Sequence, residues 1–134
     1  MTKKEIAILT REFIVNEIAP DNFRDDLCCA CAIASWTLWK AFKKKGYKAI
    51  LVEGNFLLNC HFWVELDNMI YDITYSQFCG KTLINIIDAD LAKYKGYSIL
   101  HSGKKAVQAL NTDWPGEQHP SSHRAEIRVF LNNL

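Results

Sequence analysis

Three cysteines crowd positions 28, 29 and 31, a histidine follows at 61 and an aspartate at 72. A thiol, an imidazole and a carboxylate are the groups that covalent acyl transfer combines. The thiolate attacks a carbonyl, the imidazole moves the proton, and the carboxylate fixes the imidazole in one tautomer. These residues are well separated along the chain, so the chemistry depends on the elements that would bring them together.

The run His61-Phe62-Trp63-Val64-Glu65-Leu66 alternates as a half-buried strand does. Asp67-Asn68 suits a two-residue turn, since both types tolerate positive φ, and Met69 to Thr74 is the returning strand. With that turn, Leu66 faces Met69, Trp63 faces Asp72 and His61 faces Thr74. Side chains of equal parity share a face, so His61, Trp63, Asp72 and Thr74 point to one side of the sheet. Phe62, Val64, Leu66 and Ile73 point toward the core. His61 and Asp72 become diagonal neighbours, about 7–8 Å apart at the backbone. That is within reach of a hydrogen bond between their side chains. A carboxylate in mid-strand breaks local propensity, which invites a functional reading of Asp72.

Ala34, Leu38 and Phe42 recur every four residues beside Trp39, predicting a helix from near Cys31 to Lys45. Lys43, Lys44 and Lys45 suit the negative end of its dipole, and Gly46 suits the left-handed cap. Cys31 then stands at the helix start, where free N–H groups favour thiolate over thiol and can bind an oxyanion.

The remaining elements frame this site. Thr2-Lys3-Lys4-Glu5 is a capping box for an amphipathic helix over roughly 3–18, which Pro20 should end, with a loop at 21–26. Lys48 to Gly54 reads as a strand, and Leu83 to Ile87 as strand or helix. Tyr97 to Leu100 reads as a strand, Lys104 to Leu110 as a short helix and Trp114-Pro115-Gly116 as a turn. The tail favours a helix over a strand, with Ile127, Phe130, Leu131 and Leu134 on one face.

At 134 residues the chain is the size of one domain, so positions 1–134 are taken as a single unit of α+β class. Hydrophobic residues at 49% and charged residues at 23% exclude wholesale disorder, and a net charge of +1 offers no global attraction to nucleic acid or anionic membrane. The charged start carries no secretory pattern and no stretch is long enough to span a bilayer. With five cysteines, an odd number, reduced thiols in a cytoplasm are the simplest expectation. A zinc site from Cys28, Cys29, Cys31, Cys60 and His61 is the structural rival. The adjacent Cys28-Cys29 fits separated ligand pairs poorly, and Cys60 and His61 point to opposite faces of one strand. No metal or cofactor is expected. Cys60 and Cys79 read as structural, and His101, His119 and His123 as surface residues.

The run Cys31-Ala32-Ile33-Ala34-Ser35 followed by Leu38 resembles the nucleophile helix of transglutaminase-like and papain-like cysteine enzymes. His61-Phe62-Trp63-Val64-Glu65 is similar to their His strand, often H-x-W-V-E. Tyr71-Asp72-Ile73-Thr74 with Gln77-Phe78 is similar to their Asp strand. The resemblance covers roughly residues 27–78. It implies an α+β core in which the Cys helix packs on an antiparallel sheet, with Cys31, His61 and Asp72 as a catalytic triad. It also implies acyl transfer through a thioester on an amide of a protein or peptide, as hydrolysis, deamidation or transamidation. Trp63 would wall the site and Gln77 would stand near the oxyanion. Cys31 matches the motif and the helix register, while Cys28 and Cys29 remain rival nucleophiles. The short chain departs from the family in having little room for substrate-binding additions, and its size would suit a bacterial or phage protein. A non-catalytic protein-binding module on the same scaffold is the alternative.

Overall fold

The computed structural model describes residues 1–22, 27, 30–78, 83–114 and 116–134. Cys28, Cys29, Cys79, most of the expected 21–26 loop and Pro115 of the expected turn lie outside these residues.

Helix α1 spans Lys3–Phe13 and starts as its capping box requires, with the Thr2 hydroxyl accepting from the Glu5 N–H. The expectation that Pro20 ends this helix fails. The chain widens into a π-turn over Ile14–Ile18 and continues as α2 over Ala19–Asn22. In the wide turn the Ala19 N–H bonds the Ile14 carbonyl. Proline disrupts a regular helix by clashing with the carbonyl four residues back and withholding an N–H, and a widened turn just before it eases both conflicts.

Helix α3 covers Cys31–Lys44 and ends at Gly46 with φ +86°, the left-handed cap that glycine adopts at least cost. Its three terminal lysines are exposed, and each has a partner. The Lys43 ammonium sits 4.6 Å from the Trp39 ring centre, Lys44 reaches the Asn132 side chain and Lys45 donates to the Leu134 carbonyl.

The sheet is antiparallel throughout. Strand β1 is Ile50–Phe56, β2 is Asn59–Leu66, β3 is Met69–Asp72, β4 is Asn85–Asp88 and β5, after the short helix α4 (Ala89–Ala92), is Tyr97–Ser102. Their spatial order is β4-β3-β2-β1-β5. Helices α5 (Lys104–Asp113) and α6 (Arg124–Asn132) complete an α+β architecture. Among the described residues no helix is long and apolar enough to cross a membrane.

Asp67 and Asn68 both take positive φ (51° and 61°), and β3 pairs with β2 in the register the alternation predicts, Leu66 with Met69 and Val64 with Tyr71. The sheet has two covered faces. Leu51, Phe62, Val64, Leu66, Tyr71 and Ile73 pack under α1, α3 and α6. Val52, Phe56, Trp63, Ile70 and Tyr97 form a second, largely aromatic layer on the other face. Burying one such large apolar side chain contributes about 1.5–3 kcal/mol, so the His61 face is itself a core. At Gly54 the strands approach so closely that a Cβ would lie 2.0 Å from the Ser98 carbonyl oxygen and 2.5 Å from the Trp63 ring.

Candidate active site

The ladder between β2 and β3 stops at Val64–Tyr71. The expected continuation, Trp63 opposite Asp72 and His61 opposite Thr74, does not form, because the chain turns away after Asp72. The cause is local: one Asp72 carboxylate oxygen, Oδ1, accepts the Thr74 N–H at 3.2 Å, turning the chain into a 3₁₀ turn at Tyr75–Gln77. Asp72 is therefore both a turn cap and a partner of His61, and it closes its strand rather than occupying its middle. The two strands part beside His61, which is itself fully buried.

The start of α3 meets β2 here. Ser35, one turn after Cys31, donates to the carbonyl of Phe62, the neighbour of His61, at 3.0 Å. That bond pins the helix start to the strand carrying the imidazole. Position 30, before the helix, is an alanine with no side-chain cap, so no capping side chain competes for the N–H groups of the first turn. Leu27, just upstream, is buried at φ +66°, a conformation that is strained for leucine.

Cys31, His61 and Asp72 meet. His61 Nε2 is 2.8 Å from Asp72 Oδ2, and the Cys31 thiol lies near enough to the imidazole to help raise its pKa. All three are buried, with Cys31 2% exposed and the other two fully enclosed. Nε2 donates to the carboxylate, which leaves Nδ1 on the opposite side of the ring to meet the thiol. Burial alone would push the His61 pKa down. The Asp72 charge, the Asp72 hydrogen bond and the Cys31 thiol outweigh burial and raise it to about 10.

Several residues missed by the sequence reading hold this arrangement. The Tyr97 hydroxyl donates to Asp72 Oδ2 at 2.8 Å and accepts from the Asn85 side-chain amide at 3.0 Å. Burial first, and then the Asp72 charge, raise the Tyr97 pKa well above its ordinary value, so the hydroxyl keeps its proton and remains a donor. Arg11, also buried, donates to the carbonyls of Ile73 (2.7 Å) and Leu83 (2.9 Å), tying α1 to the turn after Asp72. Burial lowers its pKa, against the opposing pull of Asp72. No signal of spacing links positions 11, 85 or 97 to the site. An arginine among the apolar positions of α1 was the only local hint.

Gln77 Nε2 lies 3.3 Å from His61 Nδ1 and 3.2 Å from the Thr74 hydroxyl. It therefore stands on the side of the ring that the thiol uses. Trp63 is fully buried, its ring centre 6.1 Å from that of His61, and it backs the imidazole from inside the second core. Phe78 meets the ring edge-on at 4.9 Å. Cys60 is exposed, and among the described residues no three His, Cys, Asp or Glu side chains converge to hold a metal ion. Of the other histidines expected at the surface, His123 is buried, whereas half-exposed His101 bonds the buried Glu53 carboxylate at 2.7 Å.

No family model, curated protein or solved structure matches this chain.

Proposed function

We propose that this protein is a thiol-dependent acyl-transfer enzyme acting on amides, with Cys31 as nucleophile, His61 as general base and acid, and Asp72 as the group that orients His61. The reading rests on one observation: a buried cluster in which His61 bonds Asp72 and stands beside the Cys31 thiol. In this mechanism the raised His61 pKa keeps the Cys31 proton on Nδ1, and the thiolate sulfur attacks the carbonyl carbon. The tetrahedral oxyanion is stabilised by the first-turn N–H groups of α3, with the Gln77 amide as a further donor. Collapse expels the amine, which takes the proton from Nδ1 and leaves a thioester on Cys31. Water or a primary amine then resolves the thioester, giving hydrolysis, deamidation or transamidation.

The order Cys, His, Asp and the placement of the Cys helix against an antiparallel sheet support a papain-like or transglutaminase-like core. A protein or peptide is the proposed substrate. The bulk of Trp63 and Phe78 around the imidazole excludes water from the proton path, which strengthens the electrostatics of the site.

The test is brief treatment with iodoacetamide near pH 6, and separately with an activated ester, followed by intact mass and peptide mapping. One adduct is expected on Cys31, absent in Cys31→Ser and much slower to form in His61→Ala. The ester should leave a single acyl group that hydroxylamine removes. If all five cysteines react slowly and alike, or if the fast thiol is another one, the assignment fails and the binding-module alternative takes its place.

A further inference from the structure

A second site lies on the far side of α3. Cys31, Ser35, Leu38 and Phe42 face the sheet, whereas Trp36, Lys40 and Lys44 fall about half a turn away, on the opposite side of the helix. That side forms one wall of an open groove of about 510 Å³, bordered by α5, the 3₁₀ turn Pro120–His123 and α6. This is the volume range of small-molecule sites. Its apolar surface comes from Trp36, Val107, Pro120, Ile127 and Leu131.

The polar lining is almost entirely donors. Lys40, Lys44, Arg124 and Arg128 all border the groove, and none of the described lining residues is acidic. The chain as a whole carries only +1, so this concentration of positive charge is local rather than a by-product of a basic protein. Two of the cations are positioned by groups that leave their charge intact. Lys40 stands 5.3 Å from the Trp36 ring centre and 5.1 Å from that of Trp39, and Lys44 donates to Asn132 Oδ1 at 3.4 Å.

The orientation of Asn111 follows from a chain of bonds that begins at a backbone donor. The Ser121 N–H can only donate, so His119 Nδ1 accepts it, at 3.1 Å. The Nε2–H of His119 therefore donates to Asn111 Oδ1 at 2.8 Å. Asn111 is left with its NH₂ to offer a ligand, and Asn132, whose oxygen takes Lys44, is left with the same.

We infer that this groove binds a small organic polyanion, a molecule with two or more phosphate or carboxylate charges on an apolar body. The charges would meet Arg124, Arg128, Lys40 and Lys44, and the body would rest on Val107, Ile127 and Leu131. Four cations bordering one groove raise the positive potential there, and donors without carboxylates favour an anionic ligand. The inference stands independently of the thiol chemistry.

Calorimetric titration of the full chain tests it, with ATP and acetyl-coenzyme A as organic polyanions, pyrophosphate as charge without body and adenosine as body without charge. At about 0.15 M salt, at least one organic polyanion should bind with Kd below ~0.1 mM. Pyrophosphate should bind more weakly and adenosine not at all. The double variant Arg124→Glu with Arg128→Glu, both exposed positions, should weaken binding at least tenfold with an unchanged circular dichroism spectrum. Lys93→Glu with Lys95→Glu, which do not line the groove, should leave it intact. The proposal is overturned if neither organic polyanion binds, if pyrophosphate binds as tightly, if both double variants weaken binding alike, or if only a long polyanion such as RNA binds.

Discussion

Replacing Asp72 with asparagine removes a charge from the site while nearly preserving its shape. An opposite charge about 4 Å from the imidazolium is worth about 4 kcal/mol at the effective dielectric of such sites. At about 1.4 kcal/mol per tenfold in proton affinity, that is about three decades. The rise of the His61 pKa from 6.5 to about 10 has the same size, and it survives a burial that pulls the other way. With the charge gone and the burial retained, His61 in Asp72→Asn should titrate below 6.5. Imidazole carbon NMR reads this directly, with His61 assigned among the four histidines by its absence in His61→Gln. The wild-type ring should stay protonated until about pH 10. Acylation of Cys31 should slow on the order of 10³-fold in the asparagine variant, because the ring loses both its basicity and its orientation. A wild-type His61 that titrates near 6.5, or a variant ring still protonated at pH 8, would refute the claim that the Asp72 charge sets the site.

The same raised pKa makes stability depend on pH. His61 binds its proton more tightly folded than unfolded, so its contribution is fully present below pH 6.5 and is lost as pH rises through about 10. Urea unfolding should show that loss in wild type, and Asp72→Asn should flatten it. Tyr97→Phe strips one donor from Asp72 and leaves the Asn85 amide without its acceptor. It should cost about 1–3 kcal/mol by denaturant titration, and it should slow Cys31 acylation far less than Asp72→Asn does.

The strands around the chemistry were legible because their information is local. Alternation from His61 to Leu66 and a turn at Asp67-Asn68 determine which side chains oppose up to Val64 and Tyr71, which leaves Asp72 at the strand end beside His61. The start of α3 at Cys31 and the C-terminal helix were likewise written in short-range patterns. Leu83 to Ile87, open between strand and helix, contributes to β4, where pairing with β3 decides what a short apolar run could not. Pro20 misled because a π-turn relieves a conflict that propensity treats as final. Arg11, Asn85 and Tyr97 were invisible for a different reason: their roles exist only after distant segments pack, and no periodicity encodes them. His123 was hidden in the same way, since neither its neighbours nor its spacing foretold its burial.

The bond between Asn85 and Tyr97 joins β4 and β5, the first and last strands in the order of the sheet. Side chains from opposite margins can touch only if the sheet is rolled toward a half-closed barrel, with the Asp72 carboxylate inside the curve. This imposes an order on biosynthesis. As the chain leaves the ribosome, Cys31, His61 and Asp72 emerge before the tyrosine that completes the carboxylate's set of donors. Until residue 97 is in place the margins stay apart, and the carboxylate lacks one of the bonds that hold it against His61. A nascent chain thus holds Cys31, His61 and Asp72 before the bond that ties the two margins of the sheet can form.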